Sequence, residues 1–533
     1  MRLASPIVLL IALLIGAISG CSKSSGGDTV SNSQGAPDDE DEGGEHDEGD
    51  EGDDEGDDDN DGEDGEDGED GEDGDNDDDH DDSSGAGPVV GQLDQGGTHF
   101  ELDQLPGPTE PRVFDTTTIV NPCARPDSGF GSSLTPLDFD GDGVLDFAVG
   151  AAGEGAAYIH FGAGAVPYRS YALFDASGRA QCDRENSEDH FGTSIAAADL
   201  DGDGDDELIV GAPLAAPPTG GDSALGAVYI LGLLPAGQAR VIYGRAGLDE
   251  GFGQAVALAD FDQNQRIDLA IGAARGVVRG LSCGRVSLYM DVVTDQESRV
   301  ELPNPNPTDG GNFGAHLVID DTNIDGRPDL FVSGIGNDSS SGVMHGGQVF
   351  CFTNLPQLEP VALIEDQFEI PFDPPRFGMH ISARGGFVAV GAPRKDLQNI
   401  VDTGMGQSFR GTGQGQVRAH FHPQALEFDL YGYRTLIGDF VGDDALDFAF
   451  SALTNQFGPN NNPLAVFIYD GSDPGSLAQE LTALPDSGDH FTMGVSAIDT
   501  NGDGRDDLVL GDWTYDRPDE THLDNSGRVV IYH

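Results

Sequence analysis

The chain has 533 residues and a formal charge of −72, from 97 acidic and only 25 basic side chains. So strong a negative field excludes nucleic acid as a partner and excludes direct docking on anionic lipid, since both would be repelled. With 78 glycines and 30 prolines, the sequence is punctuated too often for long helices.

Residues 1–20 read as a signal peptide: Arg2 precedes an apolar run from Ile7 to Ile18, and small residues lead to Cys21. The run is too short and ends too abruptly to be read as a membrane span. Ile18-Ser19-Gly20-Cys21 resembles the bacterial lipobox. That resemblance implies that Cys21 is diacylated and becomes the N-terminus of an exported protein, lipid-anchored to the cell envelope, at the outer membrane or cell surface. Several acyl chains on one residue give the stable anchoring that one chain lacks. The alternative is an ordinary signal peptide with a coincidental cysteine.

Residues 21–97 form a linker. Between Pro37 and Asp82 lie 31 acids and no Lys or Arg, including four tandem Glu-Asp-Gly units at Glu63–Gly74. Such a segment buries too little apolar surface to offset its ordering entropy, so a disordered, self-repelling stalk is expected. A calcium sponge or a tail for a basic partner is the alternative reading.

Residues 98–533 carry a sevenfold repeat. An aromatic residue, followed by Gly in six of the seven units, recurs at Phe130, Phe191, Phe252, Phe313, Phe377, Tyr431 and Phe491, at intervals of 61, 61, 61, 64, 54 and 60 residues. Each unit holds an alternating run, an acidic loop, an apolar run ending in small residues, a Gly-rich loop and further short β-type runs. That pattern predicts a four-stranded sheet per unit and an all-β, seven-bladed β-propeller. The last unit stops at its third run, so an N-terminal segment has to complete it; Thr98–Asp103 is the expected strand. Of the four cysteines after Cys21, Cys123, Cys182, Cys283 and Cys351, three disulfide connectivities are possible. The placement of Cys123 and Cys182 ahead of repeat phenylalanines favours that pair.

Phe-Gly, an Asp loop and Gly-Ala-Pro in units near 60 residues resemble FG-GAP repeats, as in the N-terminal propeller of integrin α subunits. The resemblance covers 98–533, with no leg domains and no transmembrane helix after it. It implies adhesion or binding of an extracellular or envelope protein or glycan, and no enzyme.

The acidic loops follow a spacing that suits Ca2+. Six to eight oxygens must converge, from carboxylates at positions one, three, five and nine and a backbone carbonyl at seven. Unit one offers Asp138, Asp140, Asp142, Val144 and Asp146; unit two Asp199, Asp201, Asp203, Asp205 and Glu207. Unit four offers Asp321, Asn323, Asp325, Arg327 and Asp329; unit seven Asp499, Asn501, Asp503, Arg505 and Asp507. Unit three keeps Asp260, Asp262, Asn264, Arg266 and Asp268, but Gln265 replaces the turn glycine, so a weaker site is expected. Unit six loses a ligand to Val441 and is doubtful; unit five has no acids in its turn. About four to five structural Ca2+ sites follow. None is an EF-hand, because position twelve is Val149, Val210, Val332 or Leu510 where a glutamate is required.

With the acidic loops acting as staples on one face, ligand contacts are expected on the other. There the loop Pro393–Gln414 offers Arg394, Lys395 and Arg410, and the last unit offers Trp513 and Tyr515. A glycan-active lyase or hydrolase with acids drawn from separate blades, or a structural part of an envelope assembly, are the competing readings.

Overall fold

The computed structural model describes residues 115–533, except 124, 163–167, 169–170, 177, 180–181, 183–187, 218–224, 234–238, 294–297, 358–359, 367–373, 398–399, 414–416, 424–426, 454–464, 473–476, 483, 485–490 and 517–524. The signal peptide, Cys21, the acidic stalk and Thr98–Asp103 lie outside the described residues.

Seven antiparallel sheets stand around a ring, each with four strands, joined in blade one by a short fifth. Blade one runs Phe130–Leu137, Asp146–Ala151, Ala156–His160 and Tyr171–Asp175; blade two Ser194–Ala198, Glu207–Ala212, Ala227–Leu231 and Arg240–Tyr243. Blade three is Phe252–Ala259, Asp268–Ala273, Arg285–Met290 and Ser298–Pro303; blade four Phe313–Asp320, Asp329–Gly334, Gln348–Phe352 and Ala362–Ile364. Blade five is Ile381–Arg384, Phe387–Ala392, Met405–Arg410 and Arg418–His420; blade six Thr435–Gly438, Asp447–Ala452, Ala465–Tyr469 and Leu477–Thr482. The first strands of neighbouring blades touch one another all the way round, blade seven against blade one included.

Blade seven is Phe491–Ile498, Asp507–Asp512 and Arg528–Tyr532, completed by Thr116–Val120. The latch strand pairs Thr116 with Tyr532 through Val120 with Arg528. This corrects the expectation that Thr98–Asp103 closes the ring. Thr-Thr-Thr-Ile-Val is the richer β-former, all five of its residues being β-branched. The latch is tied down by a disulfide between Cys123 and Cys182, while Cys283 and Cys351 are buried free thiols.

Second and third strands are buried along almost their whole length, so they read as unbroken apolar runs and not as alternations. Both faces of each blade are covered by its neighbours. One apolar core lies between each adjacent pair, seven in all among the described residues. Ile209 and Ile230 of blade two, for example, pack with Phe252, Ile271 and Tyr289 of blade three.

The repeat text has a steric reason. The glycine after the repeat aromatic has φ near +90° at Gly192, Gly253 and Gly314. It also lies against the second strand of the preceding blade. A Cβ at Gly211 would meet Gly253 O at 2.1 Å, and one at Gly272 would meet Gly314 O at 2.0 Å. Each glycine thus lets two backbones meet where a side chain would hold the blades apart.

Candidate metal centres

The acidic loops join first to second strands and so share one face of the ring. In all six the turn is built from its own carboxylates. Asp138 accepts the amides of Asp142 (3.1 Å) and Gly143 (2.9 Å), and Asp142 accepts that of Val144 at 2.8 Å. Asp199 accepts Gly202, Asp203 and Gly204, and Asp203 accepts Asp205. Asp321 holds Asp325 and Gly326 while Asp325 holds Arg327; Asp499 holds Asp503 and Gly504 while Asp503 holds Arg505.

Blade three keeps the same turn despite Gln265, which takes φ +70°, donates to Asp260 at 2.7 Å and leaves Asn264 to accept from Arg266. Blade six does likewise with Asp444 at φ +65°.

The position-nine acid lies at the strand mouth and is buried in every case: Asp146, Glu207, Asp268, Asp329, Asp447 and Asp507. Each accepts the amide of position two, as in Phe139 to Asp146 (3.1 Å) and Leu200 to Glu207 (2.8 Å). Several also accept from the end of the third strand, as Gly162 to Asp146 and Gly471 to Asp447, both 2.9 Å. Burial pushes Glu207 up to about 7 and Asp268 and Asp447 up to about 6, against the pull of those amides, and the neighbouring carboxylates add to the rise. Val149, Val210, Val332 and Leu510, at position twelve, are wholly buried in second strands. The loops are not EF-hands.

Four groups bring three carboxylates to within 4.8 Å of one another: Asp138/Asp140/Asp146, Asp199/Asp201/Asp203, Asp260/Asp262/Asp268 and Asp443/Asp447/Asp470. At that separation each like-charge pair costs about 3 kcal/mol at an effective dielectric constant of 20. The fourth group was not legible in the sequence. Asp470 comes from the connection after the third strand of blade six and joins Asp443 and Asp447 in a loop that lacks an acid at Val441. The signal was an aspartate directly after the third strand, as also at Asp291 in blade three.

Acids outside the ligand positions lace the loops of this face together. Asp206 accepts the amide of Asp138 at 2.8 Å and returns its own amide to Asp138 O. Asp506 does the same for Asp439 and takes Arg384 of blade five at 2.7 Å. Blade five, with no acidic loop, turns on Gly385 and Gly386, whose amides donate to Asp320 of blade four at 3.1 and 2.8 Å.

The expected contact shelf on the opposite face is largely corrected. Lys395 is buried and paired with Asp366 at 2.8 Å, which fastens its loop to the connection from blade four. Trp513 is buried beside Gly129, and Tyr515 is buried under Arg528, 4.0 Å from its ring. Trp513 packs at the seam between blades seven and one, while Tyr515 packs within blade seven, where its carbonyl accepts the amide of Gly527. Arg410 is exposed but ends the third strand, opposite Phe387, on the acidic-loop face. The loop that was read through Gln414 therefore stops at Met405, where a strand begins. Arg394 alone stays half-buried on the expected face. What sequence reasoning missed there is a set of exposed apolar side chains on blades three to five: Leu248, Leu281, Met344 and Val401.

The FG-GAP repeat family model matches residues 130–167 and 191–231, in blades one and two. Integrin alpha-PS2 of Drosophila melanogaster is 29% identical over 267 residues, 46% of this chain and 17% of that protein. Integrin alpha-5 of Xenopus laevis is 30% identical over 231 residues, covering 40% and 20%. A phosphatidylinositol-glycan-specific phospholipase D of Bos taurus is 32% identical over 105 residues, covering 18% and 12%. The chain therefore matches a fifth or less of the length of these relatives. It carries FG-GAP repeats, and its propeller is integrin-like.

Proposed function

We propose, with the FG-GAP character of the ring as premise, that the protein is an exported propeller that binds an extracellular or envelope ligand, protein or glycan, and is stapled by calcium. The observation that carries the calcium half is the clustering of turn carboxylates without compensating charge. No Lys or Arg pairs with Asp138, Asp140, Asp199, Asp201, Asp203, Asp260 or Asp262 among the described residues. An all-oxygen donor set of carboxylates and backbone carbonyls suits a hard cation, and an irregular one suits Ca2+ better than octahedral Mg2+. Asp138, Asp140, Asp142 and Asp146 would hold it in blade one, and their counterparts in the other acidic blades. The cation would supply charge neutralisation and loop rigidity. A lipid on Cys21 would tether the ring to the envelope.

The ligand half is supported by the integrin-like relatives and by the exposed apolar residues opposite the acidic loops. Exposed apolar side chains also stand on the acidic-loop face, at Val144 and Ile324, so the variants compare the two faces directly. The test is binding of extracellular-matrix proteins and a glycan array to the immobilised mature protein in calcium. Leu281→Asp with Met344→Asp is expected to lower capture about tenfold or more, while Ile324→Asp in an acidic loop leaves it unchanged. Equal capture by both variants would remove this face as the contact surface.

A further inference from the structure

The first strands carry another set of equivalent positions. Three residues after the repeat aromatic stand, in ring order, Ser133, Ser194, Ala255, His316, His380, Arg434 and Gly494. In blades one and two this position links blades: Ser133 Oγ donates to Gly192 O at 2.8 Å and Ser194 Oγ to Gly253 O at 2.9 Å. In three consecutive blades, four to six, it carries nitrogen-bearing groups, and these lie side by side. The ring of His316 is 4.3 Å from that of His380. Nδ1 of His380 accepts the amide of Thr435 at 3.2 Å, so its ring proton sits on Nε2. Arg434 donates through Nε to Met493 O at 2.8 Å and through Nη1 to Tyr433 O at 3.1 Å.

Two features of this row are not explained by packing between blades. Nδ1 of His316 is buried without a hydrogen-bond partner, although the residue as a whole is only half-buried. Arg434 is likewise half-buried and has no carboxylate partner among the described residues, in a chain where acids outnumber basic residues 97 to 25. Its guanidinium lies over the Tyr433 ring, 4.7 Å from the centroid, and Nη2 meets Met493 Sδ at 3.9 Å, which leaves one N–H on each of Nη1 and Nη2 and no full counter-charge at that depth. Burial and the nearby Arg434 hold His316 down to about 3 and His380 well below its usual value, so the imidazoles act as neutral hydrogen-bonding groups. His380 is held low by His316 as well.

We propose that His316, His380 and Arg434 form an oxyanion site on the inner rim of the ring, which takes one carboxylate or phosphate group. The guanidinium fork supplies the charge and paired N–H donors that such a group prefers. The imidazoles of His316 and His380 complete the recess. Ala255 and Gly494, at the same position in the blades that flank those of the serines and of this row, add no side chain that competes for the anion. The site uses none of the acidic loops and stands whether or not they bind calcium.

The test is NMR of the mature protein with isotope-labelled histidines, titrated separately with inorganic phosphate and with acetate. His316→Gln and His380→Gln assign the two signals. Both signals are expected to shift saturably with a single midpoint for at least one anion, and which anion does so identifies the group recognised. Arg434→Gln is expected to weaken that midpoint about tenfold or more, with Arg434→Lys restoring part of it. A melting curve for each variant shows whether the fold is kept. Signals that stay fixed in both titrations of the unaltered protein, or a midpoint unchanged in Arg434→Gln, would overturn the proposal.

Discussion

Thr492 occupies the position that is glycine in the other six blades, and it sits at φ +79° while buried. A β-branched residue in that region carries a cost of about 1–2 kcal/mol. Thr492→Gly is therefore expected to stabilise the protein by about 1 kcal/mol by chemical denaturation. Gly272→Ala is expected to do the reverse and more, since its Cβ would lie 2.0 Å from a backbone oxygen that has no rotamer to change. A loss above about 3 kcal/mol is predicted. Similar stabilities for the two variants would refute the steric account of the repeat. At this scale the sequence was legible where one backbone geometry recurs seven times. It was not legible at Lys395 or Trp513, whose exposure depends on the blade beside them. A lysine and a tryptophan in polar loops look like surface residues until Asp366 and the seam against blade one are placed.

Among elements, the latch differs most from the rest. Thr116–Val120 adds five pairs to the last sheet, and Cys123–Cys182 fastens it to the chain beyond blade one's fourth strand. The bridge closes a loop with a sequence separation of 59, for which loop entropy gives about 4 kcal/mol. Cys123→Ser with Cys182→Ser is predicted to lower stability by up to that amount and to expose the latch first. Hydrogen exchange would then show loss of protection along Arg528–Tyr532 ahead of the other third strands. Uniform loss over all blades would argue against a latch. The blade strands themselves were readable from short apolar runs between turn signals. The latch was expected at Thr98–Asp103, while the β-branched run that pairs, Thr116–Val120, lies further along.

For the whole molecule, the ring depends on seven like interfaces, and the acidic face is where like charges accumulate. The three-carboxylate groups in blades one, two, three and six would each be relieved by a cation. Loop spacing made the first three of these groups readable. Asp470 was not, because it reaches the fourth from 23 residues beyond Asp447 along the chain, through a strand and a return. The central claim is that these turns are cation staples, and thermal unfolding of the mature protein in calcium and in chelator tests it most directly. A ligand bound only by the folded state adds about 2.7 kcal/mol per site at a hundredfold excess over its Kd. The midpoint is predicted to rise by several degrees with calcium, to keep rising with its concentration, and to rise less after Asp138→Asn with Asp199→Asn. The same midpoint in calcium and in chelator would contradict the account.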